Sequence, residues 1–156
     1  MVKMPTKNHF YAQGLHFSCK RCSACCRFET GFVFLSEKDT SVLSAAFNMT
    51  YDDFLEAYCR WVPGDDGEKL LSLKEKPNYD CIFWNSGDNG GCSVYEKRPL
   101  QCRLFPFWSS ILNSMASWKM AAKGCPGIDQ GMLYSQDSIK KMLAMRHMEP
   151  IIFKTV

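Results

Sequence analysis

The apolar positions of the chain come in short blocks, and the blocks change period along its length. After Ser36-Glu-Lys-Asp39 they recur at helical spacing, which predicts a helix burying Val42, Leu43, Ala46 and Phe47. After Thr50-Tyr-Asp-Asp53 a second helical pattern carries Phe54, Leu55, Tyr58 and Trp61 inward. Both starts read as capping boxes: a Ser or Thr oxygen accepts from a backbone N–H three residues on, and an acidic side chain there reaches back. Pro63 and Gly64 close the pair. Ahead of it, Gly31–Leu35 is a brief apolar run that predicts a strand.

Beyond Gly64 the helical period is lost. Residues 64–91 predict a turn-rich β section, with strands at Leu70–Leu73 and Cys81–Trp84 and a polar glycine turn over Asn85–Gly91. The last pattern is a helix over Asp137–Glu149, with Ile139, Met142 and Leu143 facing inward. Short helices mixed with short strands predict an α+β fold. One domain is expected across residues 1–156, with its core over 14–130 and a C-terminal helix over 137–149. The middle has few long periodic elements, so metal–ligand bonds are expected to tie it together.

Composition sharpens that expectation. Of 156 residues, 46% are hydrophobic and 13% aromatic, enough for a core without disulfides. Nine cysteines therefore need another explanation. Met1 to Phe10 shows no apolar signal region and no small-residue cleavage site. No stretch nears the roughly 18 apolar residues of a membrane span. A cytoplasmic address with reduced thiols is the expectation, and clustered cysteines then read as metal-binding or catalytic. The formal charge of +3 does not argue for nucleic acid. Eight thiolates would subtract eight charges and two dipositive centres return four, leaving about −1. There is no long basic stripe, and Lys140, Lys141 and Arg146 read as the solvated side of a helix.

Cys19, Cys22, Cys25 and Cys26 make C-x2-C-x2-C-C. Two-residue spacing lets a tight turn aim two sulfurs at one centre, as in Cys-liganded zinc and iron–sulfur sites. Adjacent cysteines such as Cys25 and Cys26 are expected to point apart and so to serve two nearby centres. Four cysteines within eight residues, interleaved with Lys20, Arg21 and followed by Arg27, do not resemble a core stripe. Basic neighbours also favour the thiolate. Cys81, Cys92, Cys102 and Cys125 bring the donors to eight. Cys59, four residues after Leu55 on the second helix, reads as a small buried hydrophobe. His9, His16 and His147 are scattered, and only His16, three residues before Cys19, invites weighing as a ligand. Arg98 and Arg103 flank Cys102 and are expected to support the thiolates, while Phe105, Phe107 and Trp108 read as a dry wall around the site.

The chain resembles the zinc- or iron-chelating family of cysteine-cluster proteins, whose hallmark is the C-x2-C-x2-C-C string. The matching residues are Phe17-Ser-Cys19 through Cys26 and Gly31-Phe-Val-Phe-Leu-Ser. Asp80-Cys81, Cys92-Ser-Val-Tyr95, Arg98-Pro-Leu-Gln-Cys102-Arg-Leu-Phe-Pro-Phe107 and Gly124-Cys125-Pro126 complete the set. The likeness implies that the family's eight cysteines fall on Cys19, Cys22, Cys25, Cys26, Cys81, Cys92, Cys102 and Cys125, with Cys59 outside the pattern. Ser23 departs from it, since the family often has glycine after the second cysteine. Some members are called iron–sulfur oxidoreductases, and a flagellin lysine methylase carries a similar cysteine set.

Three functions follow as expectations. The first is a metal-binding protein holding zinc and/or an iron–sulfur cluster, a 4Fe–4S cluster among the alternatives, in redox chemistry or metal and cluster handling. The second is a protein-modifying enzyme with structural metal sites; no catalytic residues can be named for it, and no Ser–His–Asp string, phosphate loop or dinucleotide fingerprint is present. The third is a zinc-stabilised module for a partner protein. One division of the ligands follows ferredoxin spacing. Cys19, Cys22 and Cys25 join Cys125-Pro126 on a cluster, leaving Cys26, Cys81, Cys92 and Cys102 for zinc; the rival is two zinc sites.

Overall fold

The computed structural model describes residues 8–28, 30–88 and 90–156. In chain order its elements are β1 (Leu15–Phe17), α1 (Glu37–Ala46), α2 (Tyr51–Tyr58), β2 (Cys59–Pro63), β3 (Lys69–Leu73) and β4 (Trp84–Asn85). Then come β5 (Gly91–Cys92), α3 (Leu100–Leu104), α4 (Met115–Gly124), β6 (Met132–Tyr134), α5 (Gln136–Met148) and β7 (Phe153–Lys154). Single 3-10 turns lie at Ala24–Cys26 and Tyr95–Lys97. The class is α+β. The chain divides into two compact units: residues up to Lys20 with Pro106–Leu143, and Arg21–Phe105 with Ala144–Val156.

The second unit carries the helical pair. Ser36 Oγ accepts from the Asp39 N–H at 3.1 Å, and the Asp39 carboxylate accepts from the Ser36 N–H at 2.9 Å, completing the capping box of α1. Thr50 caps α2 by accepting from the Asp53 N–H at 3.2 Å, and Asp52 and Asp53 suit the positive end of that helix. Strands β2 and β3 pair antiparallel from Cys59↔Leu73 to Pro63↔Lys69, and β7 adds to the far edge of β3. Leu35, Leu43, Phe54, Cys59, Leu71, Leu73 and Phe83 are buried together, with Phe47 stacked on Phe83 and Tyr58.

Several expectations change here. On α1, Leu43 is buried but Val42 and Ala46 are exposed. Thr40 and Ser44 take the inner face instead, because their hydroxyls donate to the carbonyls of Ser36 and Ser41 and so bring no unmet polar group inside. Helix α2 stops at Tyr58, and Trp61 lies in β2. Pro63 lacks an N–H and disfavours a helical residue before it, whereas the hairpin satisfies the segment. Gly31–Leu35 runs beside β3 without becoming a regular strand. Its bonds are diverted: Ser72 Oγ accepts from the Val33 N–H, Gln101 Oε1 accepts from the Phe34 N–H, and Gln101 Nε2 donates to the Phe32 carbonyl. Cys81–Trp84 is a turn closed by the Trp84 N–H to the Cys81 carbonyl at 2.9 Å, and only Trp84 and Asn85 go on to pair with Gly91 and Cys92.

In the first unit, β1 and β6 pair antiparallel, Leu15↔Tyr134 to Phe17↔Met132. Trp118 of α4 is fully buried, and Phe107 packs on it with Phe17 and Tyr134. The Trp118 indole donates to Asp129 at 2.9 Å. Ser114 caps α4 by accepting from the Ser117 N–H. Helix α5 lies within one residue of its expected start and end, with Ile139 buried and Met142 and Leu143 half-buried. Among the described residues, no helix is long and apolar enough to cross a membrane.

Candidate metal centre

Six of the eight candidate ligands, Cys22, Cys25, Cys26, Cys81, Cys92 and Cys102, lie in the second unit. Their first segment is a sharply wound loop. Arg21 (φ 52°) and Ser23 (φ 65°) are both left-handed, and the Cys26 N–H then donates to the Ser23 carbonyl at 2.9 Å. That winding costs about 1 kcal/mol at a residue with a Cβ, and glycine at position 23 would avoid it. It also overturns the expectation that Cys25 and Cys26 point apart. Their Sγ atoms are 3.8 Å from one another. Two sulfurs, each about 2.3 Å from a tetrahedral zinc, stand about 3.8 Å apart, so this pair has the spacing of two ligands on one ion.

Backbone bonds bring the remaining donors toward that pair. The Cys81 N–H donates to the Cys26 carbonyl at 2.7 Å. The Cys81 sulfur accepts from the Phe83 N–H and the Cys92 sulfur from the Val94 N–H, each two residues on. Such N–H···S bonds orient a thiolate and offset its charge. Cys102 lies on α3, whose first N–H, that of Leu100, donates to the buried Asp39 carboxylate at 2.8 Å. One side chain thus caps α1 and fixes the helix that carries Cys102.

The electrostatics follow from crowding sulfurs. The Cys25 thiol is pulled down to about 7, first by its hydrogen bond with Cys26, with its own backbone N–H and Arg98 assisting against burial. Cys26 is driven up by the same hydrogen bond, by burial and by the charges of Cys25, Cys102 and Cys81. Burial raises Cys102, as do Cys81, Cys25 and Cys92, with Arg98 opposing. Cys81 and Cys92 are also raised, chiefly by burial. Cys25 acts on all four of the others, and so falls with Cys26, Cys81, Cys92 and Cys102. A bare set of this kind resists ionising together, and a bound cation would remove the repulsion. Among the described residues, no three His, Cys, Asp or Glu side chains are drawn tightly enough to grip an ion as they stand. The donor chemistry and the 3.8 Å pair fit zinc or iron, and the formed part of the site is the Cys25–Cys26 edge with its N–H···S supports.

Arg98 faces the sulfurs electrostatically while its Nε donates to the Tyr95 carbonyl at 2.8 Å. Arg21 and Arg98 each lie 3.8 Å from the Tyr95 ring centre, tying the loop around Cys22 to the segment after Cys92. Arg103 donates to the Arg98 carbonyl and so acts on the backbone. In the first unit, Cys19 and Cys125 sit on segments joined by the Ser18 N–H to the Gly127 carbonyl at 3.1 Å and by the Phe17↔Ile128 bridge. A side chain at Gly127 would collide with the Ser18 carbonyl, so glycine permits that approach. His16 Nδ1 bonds the Gly131 carbonyl at 2.8 Å. Phe107, expected in a wall around the site, belongs instead to the aromatic core of the first unit. Cys59 is buried in β2, and burial raises its thiol to about 12.

The mutual pairing of Arg27, Asp80 and Trp84 is not legible in the cysteine spacing. Arg27 Nε donates to Asp80 Oδ1 at 3.0 Å, Asp80 is 2% exposed, and the Arg27 guanidinium lies 3.6 Å from the Trp84 ring centre. The available signal was charge placement: a cation follows Cys26 and an anion precedes Cys81.

A family model described as "Putative zinc- or iron-chelating domain", CxxCxxCC, matches residues 18–126. An uncharacterized protein of Methanocaldococcus jannaschii is 31% identical over 113 residues, 72% of this chain and 57% of its own length. The chain therefore spans little more than half of that relative. No solved structure matches.

Proposed function

The chain belongs to the CxxCxxCC family of zinc- or iron-chelating domains, and from that premise we propose that it is a metal-binding protein using the thiolates of Cys19, Cys22, Cys25, Cys26, Cys81, Cys92, Cys102 and Cys125. The observation that carries this reading is the 3.8 Å Cys25–Cys26 sulfur pair with Cys81, Cys92 and Cys102 in its field. Five interacting sulfurs exceed the four places of one tetrahedral ion. One of them therefore bridges to a second centre while staying on the first, and Cys25, which acts on all four of the others, is the one best placed to do so. This departs from the division that sends Cys25 away from Cys26. Zinc in such a site would be structural, and an iron–sulfur cluster would supply one-electron transfer. The chain's own part is to hold the thiolates, donate to their sulfurs from Phe83 and Val94, and offset their charge with Arg98. An all-thiolate set closes the coordination sphere, which favours structural or redox work over Lewis-acid catalysis.

The test is the elemental content and visible spectrum of protein purified without oxygen. Brown protein absorbing near roughly 400 nm, with iron and acid-labile sulfide, identifies a cluster. Colourless protein with stoichiometric zinc identifies tetrahedral sites. Folded protein that neither retains nor takes up either metal would refute the proposal.

A further inference from the structure

Trp84 carries a polar atom that the fold leaves without a partner. Its Nε1 is buried, and among the described residues no acceptor lies within hydrogen-bond reach. Burying an indole N–H unpaired costs about 1–3 kcal/mol, and buried indoles ordinarily find an acceptor. The Trp118 indole does so, donating to Asp129.

The place of Trp84 makes the unmet donor informative. Trp84 is paired directly with Cys92 across β4 and β5. Directly opposed residues of an antiparallel pair project from the same face, with Cβ atoms about 4.5–5.5 Å apart. The indole ring is fixed by the Arg27 guanidinium 3.6 Å from its centre, and Arg27 is held in turn by Asp80 at 3.0 Å. Each of the three residues adjoins a different candidate ligand: Arg27 follows Cys26, Asp80 precedes Cys81, and Trp84 faces Cys92. Asp80 is locked further by its own N–H to Asn78 Oδ1 and by Asn78 Nδ2 to its carboxylate. The ring is therefore held by charge and stacking on the face of the β4–β5 pair that Cys92 shares.

We propose that Trp84 is a positioning residue of the cysteine site, its indole N–H reserved for the Cys92 thiolate once that sulfur binds metal. A neutral thiol is a weak acceptor, whereas a metal-bound thiolate is an anionic one. The bond therefore forms on loading. The inference rests on the metal-binding reading, and it adds a side chain that no cysteine pattern specifies.

The experiment uses the full chain, reduced and metal-free, titrated with zinc alone; a soft thiolate set takes zinc whatever metal it holds in the cell. The indole N–H signals of the tryptophans are followed by two-dimensional NMR, and Trp84→Phe assigns one of them. In the zinc-loaded chain the Trp84 signal is expected downfield of a solvent-bonded indole and slow to exchange its proton, growing in until metal is stoichiometric. Folding of the segment alone would leave it at the position of an unbonded indole. Phenylalanine keeps a ring for Arg27 to stack on but removes the donor, so Trp84→Phe should bind zinc about 10–100-fold more weakly, measured against a competing chelator. A wild-type chain that binds zinc while the Trp84 signal lies at the position of an unbonded indole overturns this inference and leaves the metal reading standing. So does unchanged affinity in Trp84→Phe. A wild-type chain that takes up no zinc overturns both.

Discussion

Residues 33–73 and 74–102 of the second unit are built on different principles. The first stretch has two capped helices and a hairpin of two five-residue strands, and Leu35, Leu43, Phe54 and Leu71 are wholly buried within it. The second has two-residue strands, a 3-10 turn and the first turn of α3, linked by the ion pair of Asp80 with Arg27, an indole and three cysteines. Apolar area suffices to define the first. The second adds Phe83 and Val94 to that core and otherwise relies on directed bonds, and its strongest remaining donors are thiols. A region of this kind reaches a single structure only when its directed bonds are complete, and on the proposed reading metal completes them.

Metal removal should separate the two stretches most. A structural zinc in a thiolate site contributes on the order of 10 kcal/mol to folding at neutral pH. A strong chelator should therefore lower thermal stability sharply and melt residues 74–102 ahead of 33–73, read by circular dichroism and hydrogen exchange. Identical exchange in both stretches after verified metal loss would erase the distinction. Next in size, Phe54→Ala should cost about 3–5 kcal/mol by urea unfolding, because its ring sits among Phe47 and Tyr58 at the centre of the apolar core. Metal per chain should not change in that variant, and a matching fall would mean that the two stretches are not separable.

Cys59 gives a smaller effect with a definite sign. Burial raises its thiol to about 12, whereas an unfolded thiol ionises near roughly 8.5. The folded state thus binds the proton more tightly, and this contribution is fully present below the unfolded value. It is lost as pH rises from there through the folded value. Cys59→Ala should flatten the stability loss above about pH 9 and leave metal content alone. Equal alkaline slopes in the two proteins would count against a buried neutral thiol. The smallest effect is a gain. Ser23→Gly relieves a left-handed serine and should stabilise the metal-loaded chain by about 0.5–1 kcal/mol, provided the loop keeps its φ of 65°. A loss of stability would contradict that winding.

The sequence made the first stretch legible because its signals are local. Ser36 and Thr50 cap within three residues, and Leu70–Leu73 falls inside β3. The second stretch was legible as chemistry but not as geometry. Cysteine spacing names the donors, yet whether Cys25 and Cys26 converge depends on left-handed residues at 21 and 23 that no hydrophobic period encodes. Helix α4 was missed for a related reason: only Trp118 among its residues is buried, so it has no apolar stripe to read. Trp84 was invisible as a site residue because its relation to Cys92 is made by a strand pair two residues long.

Differential alkylation of the cysteines with and without metal, read by mass spectrometry, tests the central claim most directly. The account predicts that Cys19, Cys22, Cys25, Cys26, Cys81, Cys92, Cys102 and Cys125 react in chelator-treated protein and are spared when metal is restored. Cys59, buried in the apolar stretch, should stay protected in both states. Reactivity of the eight that is indifferent to metal would contradict the account.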